Sequence, residues 1–227
     1  MQYKLLPSIS WLVVVTWLLC GGASAAPFLD AEEAERIVRA QWFEGVPEDR
    51  IGPLTLDAVR RLAALLDDPA EADAHAPALE LLGRAGGPGA YESITAYASR
   101  PLTGAVNGAD YRAQLAIPLA LGYLARRDER ALAALIEAAG PGAAASAWTH
   151  RHLDAARTGV LRQKMAITGL ALSGRPEAHV ALMSLATTVA PSQAARGSAG
   201  RFSDLRAHVD EALRTHARSA AALEEAR

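Results

Sequence analysis

The stretch Gly86-Gly87-Pro88-Gly89-Ala90 returns in altered form as Gly174-Arg175-Pro176-Glu177-Ala178, 88 positions later. Leucine-rich segments with helical spacing flank both copies. Between them, Asp128-Glu129-Arg130-Ala131 occupies the same place, so the three alanines are separated by 41 and then 47 residues. A motif that returns with a mean period of about 44 residues indicates a chain built from copies of one structural unit.

The composition predicts that this unit is helical. Of the 227 residues, 51% are hydrophobic but only 5% are aromatic, so alanine, leucine and valine must supply the core. Alanine is the strongest helix former and leucine is close behind it. Since no stretch shows the alternating, β-branched pattern of a strand, we expect an all-α fold.

The first 25 residues have the pattern of a signal peptide. Lys4 supplies a positive charge, residues 9–19 form an apolar run, and Ala23-Ser24-Ala25 provides the small residues that a signal peptidase requires. A membrane-spanning helix needs about 20 apolar residues, so this run is too short to remain as an anchor. The sequence therefore predicts export to the periplasm or the extracellular space, with cleavage after Ala25 or Ala26.

The single cysteine, Cys20, lies within this segment. Bacterial lipoproteins are cleaved just before a cysteine, which makes lipid anchoring at Cys20 an alternative. Bulky residues, Trp17-Leu18-Leu19, stand where lipoproteins carry small ones, and so soluble export is favoured. A mature chain without cysteine would have no disulfides, thiolate nucleophiles or zinc–thiolate sites.

Helical periodicity divides the rest of the chain into three regions. Residues 26–76 hold two helices, at 30–43 and from Thr55 or Asp57 to Asp67, which form a possible degenerate repeat. Residues 77–188 hold three helical pairs, and residues 189–227 hold a mobile loop and a capping helix at 203–225. The pairs are expected at 77–85 with 88–99, 110–126 with 129–139, and 152–173 with 176–188.

The second helix of each pair repeats one combination of residues. A turn alanine is followed four positions later by a large aliphatic residue, in the pairs Ala90 and Ile94, Ala131 and Leu135, and Ala178 and Leu182. This spacing places both residues on one side of the helix, which we expect to be buried. Pro88 and Pro176 are expected in the first turns of their helices, where a missing N–H does no harm.

These residues resemble HEAT repeats, the armadillo-type helical pairs, in their short bacterial form. The pattern is an arginine, alanines, Leu-Gly, a Gly-Asp-Pro-like turn, an alanine, and a leucine four residues later. The third unit follows it at Arg162, Ala166, Leu170, Gly174, Pro176, Ala178 and Leu182, with Arg175 in place of the turn aspartate. The first unit follows it at Leu82, Gly83, Gly86, Pro88, Ala90 and Ile94. The middle unit keeps Arg112, Ala116, Leu121, Gly122, Asp128, Ala131 and Leu135, but has an extra residue before its turn and no proline.

The resemblance implies a right-handed α-solenoid of about three to five antiparallel helix pairs, whose second helices line a groove for a partner. It brings no catalytic residues with it. Tetratricopeptide repeats are the alternative, but their period of about 34 residues does not fit the observed spacings. We therefore expect a non-catalytic protein-interaction module or envelope scaffold with a protein partner.

Two histidine clusters are the candidate metal ligands. One consists of His150, His152 and Asp154, and the other of Asp204, His208 and His216. Zinc sites take three or four ligands with a supporting shell, and neither cluster has further ligands that the sequence places beside it. The G-x-S-x-G, H-E-x-x-H and Walker patterns do not occur in the sequence. We expect no metal site, cofactor-binding site or catalytic residues.

Charge is distributed unevenly along the chain. Residues 26–149 carry 11 basic and 18 acidic side chains, whereas residues 150–227 carry 11 basic and 7 acidic ones. The alternative function is therefore binding of an anionic envelope polymer or lipid by the C-terminal half. Its candidate residues are Arg196, Arg201, Arg206, Arg214 and Arg218. We expect no nucleic-acid partner for an exported acidic protein, and we expect Trp148 and the Trp42-Phe43 pair to be buried.

Overall fold

The computed structural model of the chain describes residues 28–40, 42, 45–140, 146–151, 153–189 and 199–225, with side chains from residue 205 onwards in the last range. The predicted signal peptide, its cleavage site and Cys20 lie outside the described residues, as do Phe43 and His152. Most of the described part is α-helical, which confirms the all-α prediction. Within that part, none of the helices combines the length and apolar character needed to cross a bilayer.

Two helices occupy the N-terminal region, as predicted. Helix α1 spans Ala31–Arg39 and α2 spans Leu56–Asp67. Asp30 caps α1 and Thr55 caps α2, because each side chain accepts a hydrogen bond from an N–H of the first turn. The prediction that α1 continues to residue 43 is wrong, because the Trp42 indole N–H donates to a carbonyl that another helical turn would use.

Three helical pairs and a terminal helix follow. They are α3 (Ala72–Ala85) with α4 (Ala90–Ala98), α5 (Gly108–Leu124) with α6 (Glu129–Ala139), α7 (Ala155–Ser173) with α8 (Pro176–Thr188), and α9 (Ala199–Glu225). The observed bounds of α6 and α8 equal the predicted ones. Pro176 lies in the first turn of α8, as expected.

Several other helix boundaries differ from the predicted ones, including the start of α9, which lies at Ala199 rather than at residue 203. Helix α3 begins five residues before Pro77, because a 3₁₀ turn at Pro69–Glu71 leads directly into it and the proline removes only one N–H. Pro88 does not lie in the first turn of α4, because Gly89 takes a left-handed conformation before the helix begins at Ala90. Capping side chains set two further starts, since Asn107 caps α5 and Asp154 caps α7.

Two short strands depart from the expectation of helices and loops alone. Strand β1 (Gly104–Ala105) pairs in parallel with β2 (Trp148–Thr149) and joins the connectors that precede α5 and α7. Trp148 is 3% exposed, which confirms its expected burial. Trp42 is 38% exposed, so its expected burial is wrong: it lies beyond the end of α1 rather than between helices.

The buried apolar side chains, apart from Trp148, form one continuous core from Leu29 to Ala212. The repeated alanine and large aliphatic residues of α4, α6 and α8 all lie in it and are at most 1% exposed, as their spacing predicts. On α9, Leu205, Val209 and Ala212 pack into the same core. This helix therefore covers the last pair, as expected for a terminal cap.

The first helices of the pairs form a closely packed row. Helices α1, α3, α5, α7 and α9 each contact the next in this order, whereas α2, α4, α6 and α8 contact one another much less. Two glycines allow the backbones to touch: a Cβ on Gly83 would lie 2.4 Å from Ala120 Cα, and one on Gly122 would lie 2.5 Å from Gly169 O. Side chains larger than hydrogen at these places would separate the helices.

Candidate interaction face

An apolar strip lies on the outward side of α5 and α7. It consists of six half-buried residues: Leu115, Leu119 and Tyr123 on α5, and Leu161, Met165 and Leu172 on α7. Each of these helices is covered on two sides by neighbours in the row and on a third side by second helices. Among the residues that the structure describes, none covers the remaining side, and the half-buried apolar residues occupy it.

The two halves of the strip lie side by side. Gly122 contacts Gly169 at backbone distance, and these glycines lie between the strip residues of their own helices. Arg126, just beyond α5, donates from Nε to Leu172 O at 3.0 Å. Because α5 carries no charged side chain after Arg112, burying its inner face in the core leaves apolar residues outside.

Charged residues bound the strip at both ends of α5. At the N-terminal end, Arg112 forms a 2.8 Å ion pair with Asp73 of α3. At the other end, the ring of Tyr123 lies between two guanidinium groups, with Arg84 Cζ 5.6 Å and Arg126 Cζ 5.1 Å from its centroid. The face therefore has an apolar centre and a polar rim, which is the usual composition of a protein interface.

The two arginines that flank Tyr123 differ in their charge partners. Arg84 is paired with Glu80 at 2.7 Å and also with Glu48. Arg126 donates to a backbone carbonyl and contacts the Tyr123 ring, and within the described part of the chain no carboxylate pairs with it. Arg126 is thus a cation at this rim that a carboxylate from outside could still pair with.

The sequence did not single out the strip. Its residues follow helical spacing, but the opposite face of α5 is equally apolar, so the pattern could not separate an inner from an outer stripe. The expectation that the second helices line the groove pointed to other residues, on α4, α6 and α8. A signal did exist, since α5 is long and carries no charged side chain between Arg112 and Arg126.

Two residues of the first predicted histidine cluster, His150 and Asp154, make contacts within the fold. His150 Nδ1 lies 3.0 Å from Val106 O, and its ring stacks on Tyr111 with centroids 4.2 Å apart. Asp154 accepts a hydrogen bond from the N–H of Arg157 at the start of α7. The third member, His152, lies outside the described residues.

The second predicted cluster is not brought together. His208 Nε2 lies 2.9 Å from Lys164 O and 3.1 Å from Thr168 Oγ1, whereas His216 Nε2 lies 2.9 Å from Arg175 O. The side chain of Asp204 lies outside the described part. Among the residues that the structure describes, no three histidine, cysteine or acidic side chains come close enough to hold a metal ion.

The basic residues of α9 are largely neutralised by their neighbours. Arg206 pairs with Asp210 at 3.0 Å, and Glu211 pairs with Arg214 at 2.6 Å and with Arg218 at 3.4 Å. The hydrogen bond from Arg214 also lowers the pKa of Glu211. Arg196 and the side chain of Arg201 lie outside the described residues. The local pairing reduces the positive field that an anionic polymer would meet.

A cleft of about 240 Å³ between α1 and α3 is the remaining candidate site. Val38, Arg39, Ala70, Glu71, Asp73 and Ala74 line it. Arg39 pairs with Glu71 and Glu35, and Arg61 also bonds Glu35, whose pKa these bonds hold below the ordinary value. The two arginines and two glutamates pair with one another, and Asp73, which also lines the cleft, pairs with Arg112. No protein-family model, curated protein or solved structure matches the chain.

Proposed function

We propose that this chain is an exported, non-catalytic helical repeat protein that binds another protein through the apolar strip. The observation that carries the proposal is the row of half-buried leucine, methionine and tyrosine side chains on the open side of α5 and α7. An apolar centre with a polar rim is the usual arrangement of a protein interface, in which methionine, tyrosine and arginine are enriched. The strip residues present an apolar surface that a partner can pack against, and their side chains suit packing rather than catalysis.

The proposed architecture is a right-handed α-solenoid of HEAT-like pairs. The antiparallel pairs α3–α4, α5–α6 and α7–α8, their shared turn and the buried alanine in each second helix support it. In a curved stack, the row with the shorter spacing lies on the concave side. Since the first helices touch through glycines and the second helices hardly touch, we place the first helices, and the strip, on the concave side.

Cross-linked pull-down from the cell envelope tests the function, with two matched variants. Leu119→Glu puts a charge in the centre of the strip, whereas Val180→Glu puts the same charge on α8, where Val180 is 68% exposed. We expect a specific protein to be recovered with the wild type and with Val180→Glu, and to be lost with Leu119→Glu. Equal recovery with all three proteins, at equal thermal stability, would refute binding through the strip.

The alternative function, binding of an anionic envelope polymer or lipid, draws support from the positive balance of the C-terminal half. The ion pairs on α9 weaken that support. Cosedimentation with peptidoglycan and with anionic vesicles at low and high salt separates the two functions. Charge-driven binding must weaken as salt is raised, because salt screens exposed charges.

A further inference from the structure

We infer that the part of the partner seated on the apolar strip is an amphipathic helix with an acidic residue that pairs with Arg126. This inference rests on the proposed function and deepens it. It specifies the secondary structure of the partner segment and the charge at one end of it.

The shape of the strip favours a helix as the occupant. Leu115 and Arg126 are separated by 11 residues of the chain, about 16 Å, which is about three helical turns. Because α5 and α7 touch at Gly122 and Gly169, their outward side chains flank a shallow groove. A third helix can lay leucines spaced one turn apart into such a groove.

The local secondary structure counts against an extended partner strand. Strand addition needs a free sheet edge whose N–H and C=O groups can pair with the newcomer. The strip is formed by two helices whose backbone hydrogen bonds are internal, and the described strands are only two residues long. Side-chain packing must therefore supply the binding energy.

Arg126 sets the charge and the direction of the partner. Its ring contact with Tyr123 and its bond to Leu172 O hold the guanidinium at the rim, while no described carboxylate pairs with it. A guanidinium held in place by other contacts loses little freedom when a carboxylate binds, and it can bind both oxygens. At the opposite end of α5, Arg112 is already paired with Asp73.

A displayed peptide library tests the inference with the full mature chain. The library consists of 16-residue sequences with leucines fixed one helical turn apart and with all other positions random. We expect the selected peptides to be helical and to carry Asp or Glu beyond one end of the leucine row. Their affinity should fall about tenfold for Arg126→Gln, whose amide can still donate to Leu172 O, and should be unchanged for Val180→Glu.

Two results would overturn the inference, and both leave the proposed function separately testable. If the library yields no helical peptide whose binding is weakened by Leu119→Glu, a helix on the strip is excluded. Selected peptides without acidic residues, or with equal affinity for wild type and Arg126→Gln, would exclude the charge pair. In either case, loss of the envelope partner with Leu119→Glu would still support protein binding. Thermal unfolding of each variant shows whether a change reflects the site or the fold.

Discussion

Single glycines determine how closely the first helices approach. Gly122 lies against Gly169 so closely that one added methyl group would sit 2.5 Å from a backbone oxygen. A backbone atom cannot move aside as a flexible side chain can, so the two helices must separate. The spacing of the row, and with it the shape of the apolar strip, therefore depends on these residues.

We predict that Gly122→Ala lowers the free energy of unfolding by about 1–3 kcal/mol, the usual cost of overpacking. Urea denaturation measures this loss of stability. Gly108→Ala is the matched control, because its added carbon would lie 3.7 Å from Arg112 Nη1, an ordinary contact, at the start of α5. The control should change stability by less than about 0.5 kcal/mol or increase it. Equal effects of the two substitutions would contradict the close approach.

A buried polar pair fixes α4 against α3. His75 Nε2 lies 3.0 Å from Asp68 O, which can only accept, so this nitrogen carries the proton. In the neutral ring, His75 Nδ1 then accepts from the Tyr97 hydroxyl at 3.0 Å. Burial raises the pKa of the Tyr97 phenol above its ordinary value. Both side chains are almost fully buried, so neither finds water if its partner is removed.

Tyr97→Phe should destabilise the protein at neutral pH by about 1–3 kcal/mol, because His75 Nδ1 loses its partner. The difference from wild type should shrink as pH rises above about 10. The Tyr97 pKa is higher in the folded protein than in the unfolded chain. The neutral phenol therefore contributes stability below the unfolded pKa, and this contribution is lost as pH rises through the folded pKa. Unfolding free energies of both proteins from pH 8 to pH 11 test this, and a constant difference would contradict it.

Between elements, arginines of the middle unit cap helices of the preceding and following units. The last carbonyls of an α-helix lack partners within the helix. Arg127, just after α5, donates to two of them at the end of α3, Ala85 O at 3.0 Å and Arg84 O. Arg126 serves α7 in the same way through Leu172 O. These bonds tie each first helix to its neighbours in the row.

Arg127→Ala should lower the free energy of unfolding by about 1–2 kcal/mol, since two carbonyls lose a charged donor. Arg60→Ala is the control, because the Arg60 side chain is 70% exposed and its described partner is Asp57 at 3.4 Å. Exposed pairs of this kind contribute less than about 1 kcal/mol. Thermal denaturation of both variants measures the two losses of stability. A loss for Arg127→Ala that is no larger than the loss for Arg60→Ala would argue against the capping role.

The elements that could be predicted from the sequence were those with local boundary signals. Asp128 caps α6, and Gly174 with Pro176 ends α7 and begins α8, so those bounds follow from nearby residues. The predicted start of α3 at Pro77 was wrong, because tertiary packing keeps the chain helical on both sides of this proline. The strip could not be predicted, because which face of α5 stays open depends on helices far away in the sequence.

At the scale of the whole molecule, one core joins all helices from α1 to α9. The strip lies outside this core, on the row that holds the molecule together. Substitutions at its exposed side-chain atoms can therefore weaken binding without removing the fold. This separation makes the function testable by surface variants.

Export is a prediction about the chain as a whole. Mass spectrometry of the protein purified from its native envelope fraction should give a chain that begins at Ala26 or Pro27, because the small residues before them suit a signal peptidase. A chain that begins at Cys20 with added lipid mass would support the lipoprotein alternative instead. Recovery of the uncut chain in the cytoplasm would contradict export.

Site-specific photo-cross-linking in living cells tests whether the apolar strip contacts a protein partner. A benzophenone amino acid is placed at Leu119, in the centre of the strip, or at Val180, on the exposed side of α8. Binding through the strip predicts a discrete adduct with one protein from position 119 and none from position 180. An adduct from position 180 alone, or from neither position, would contradict the account.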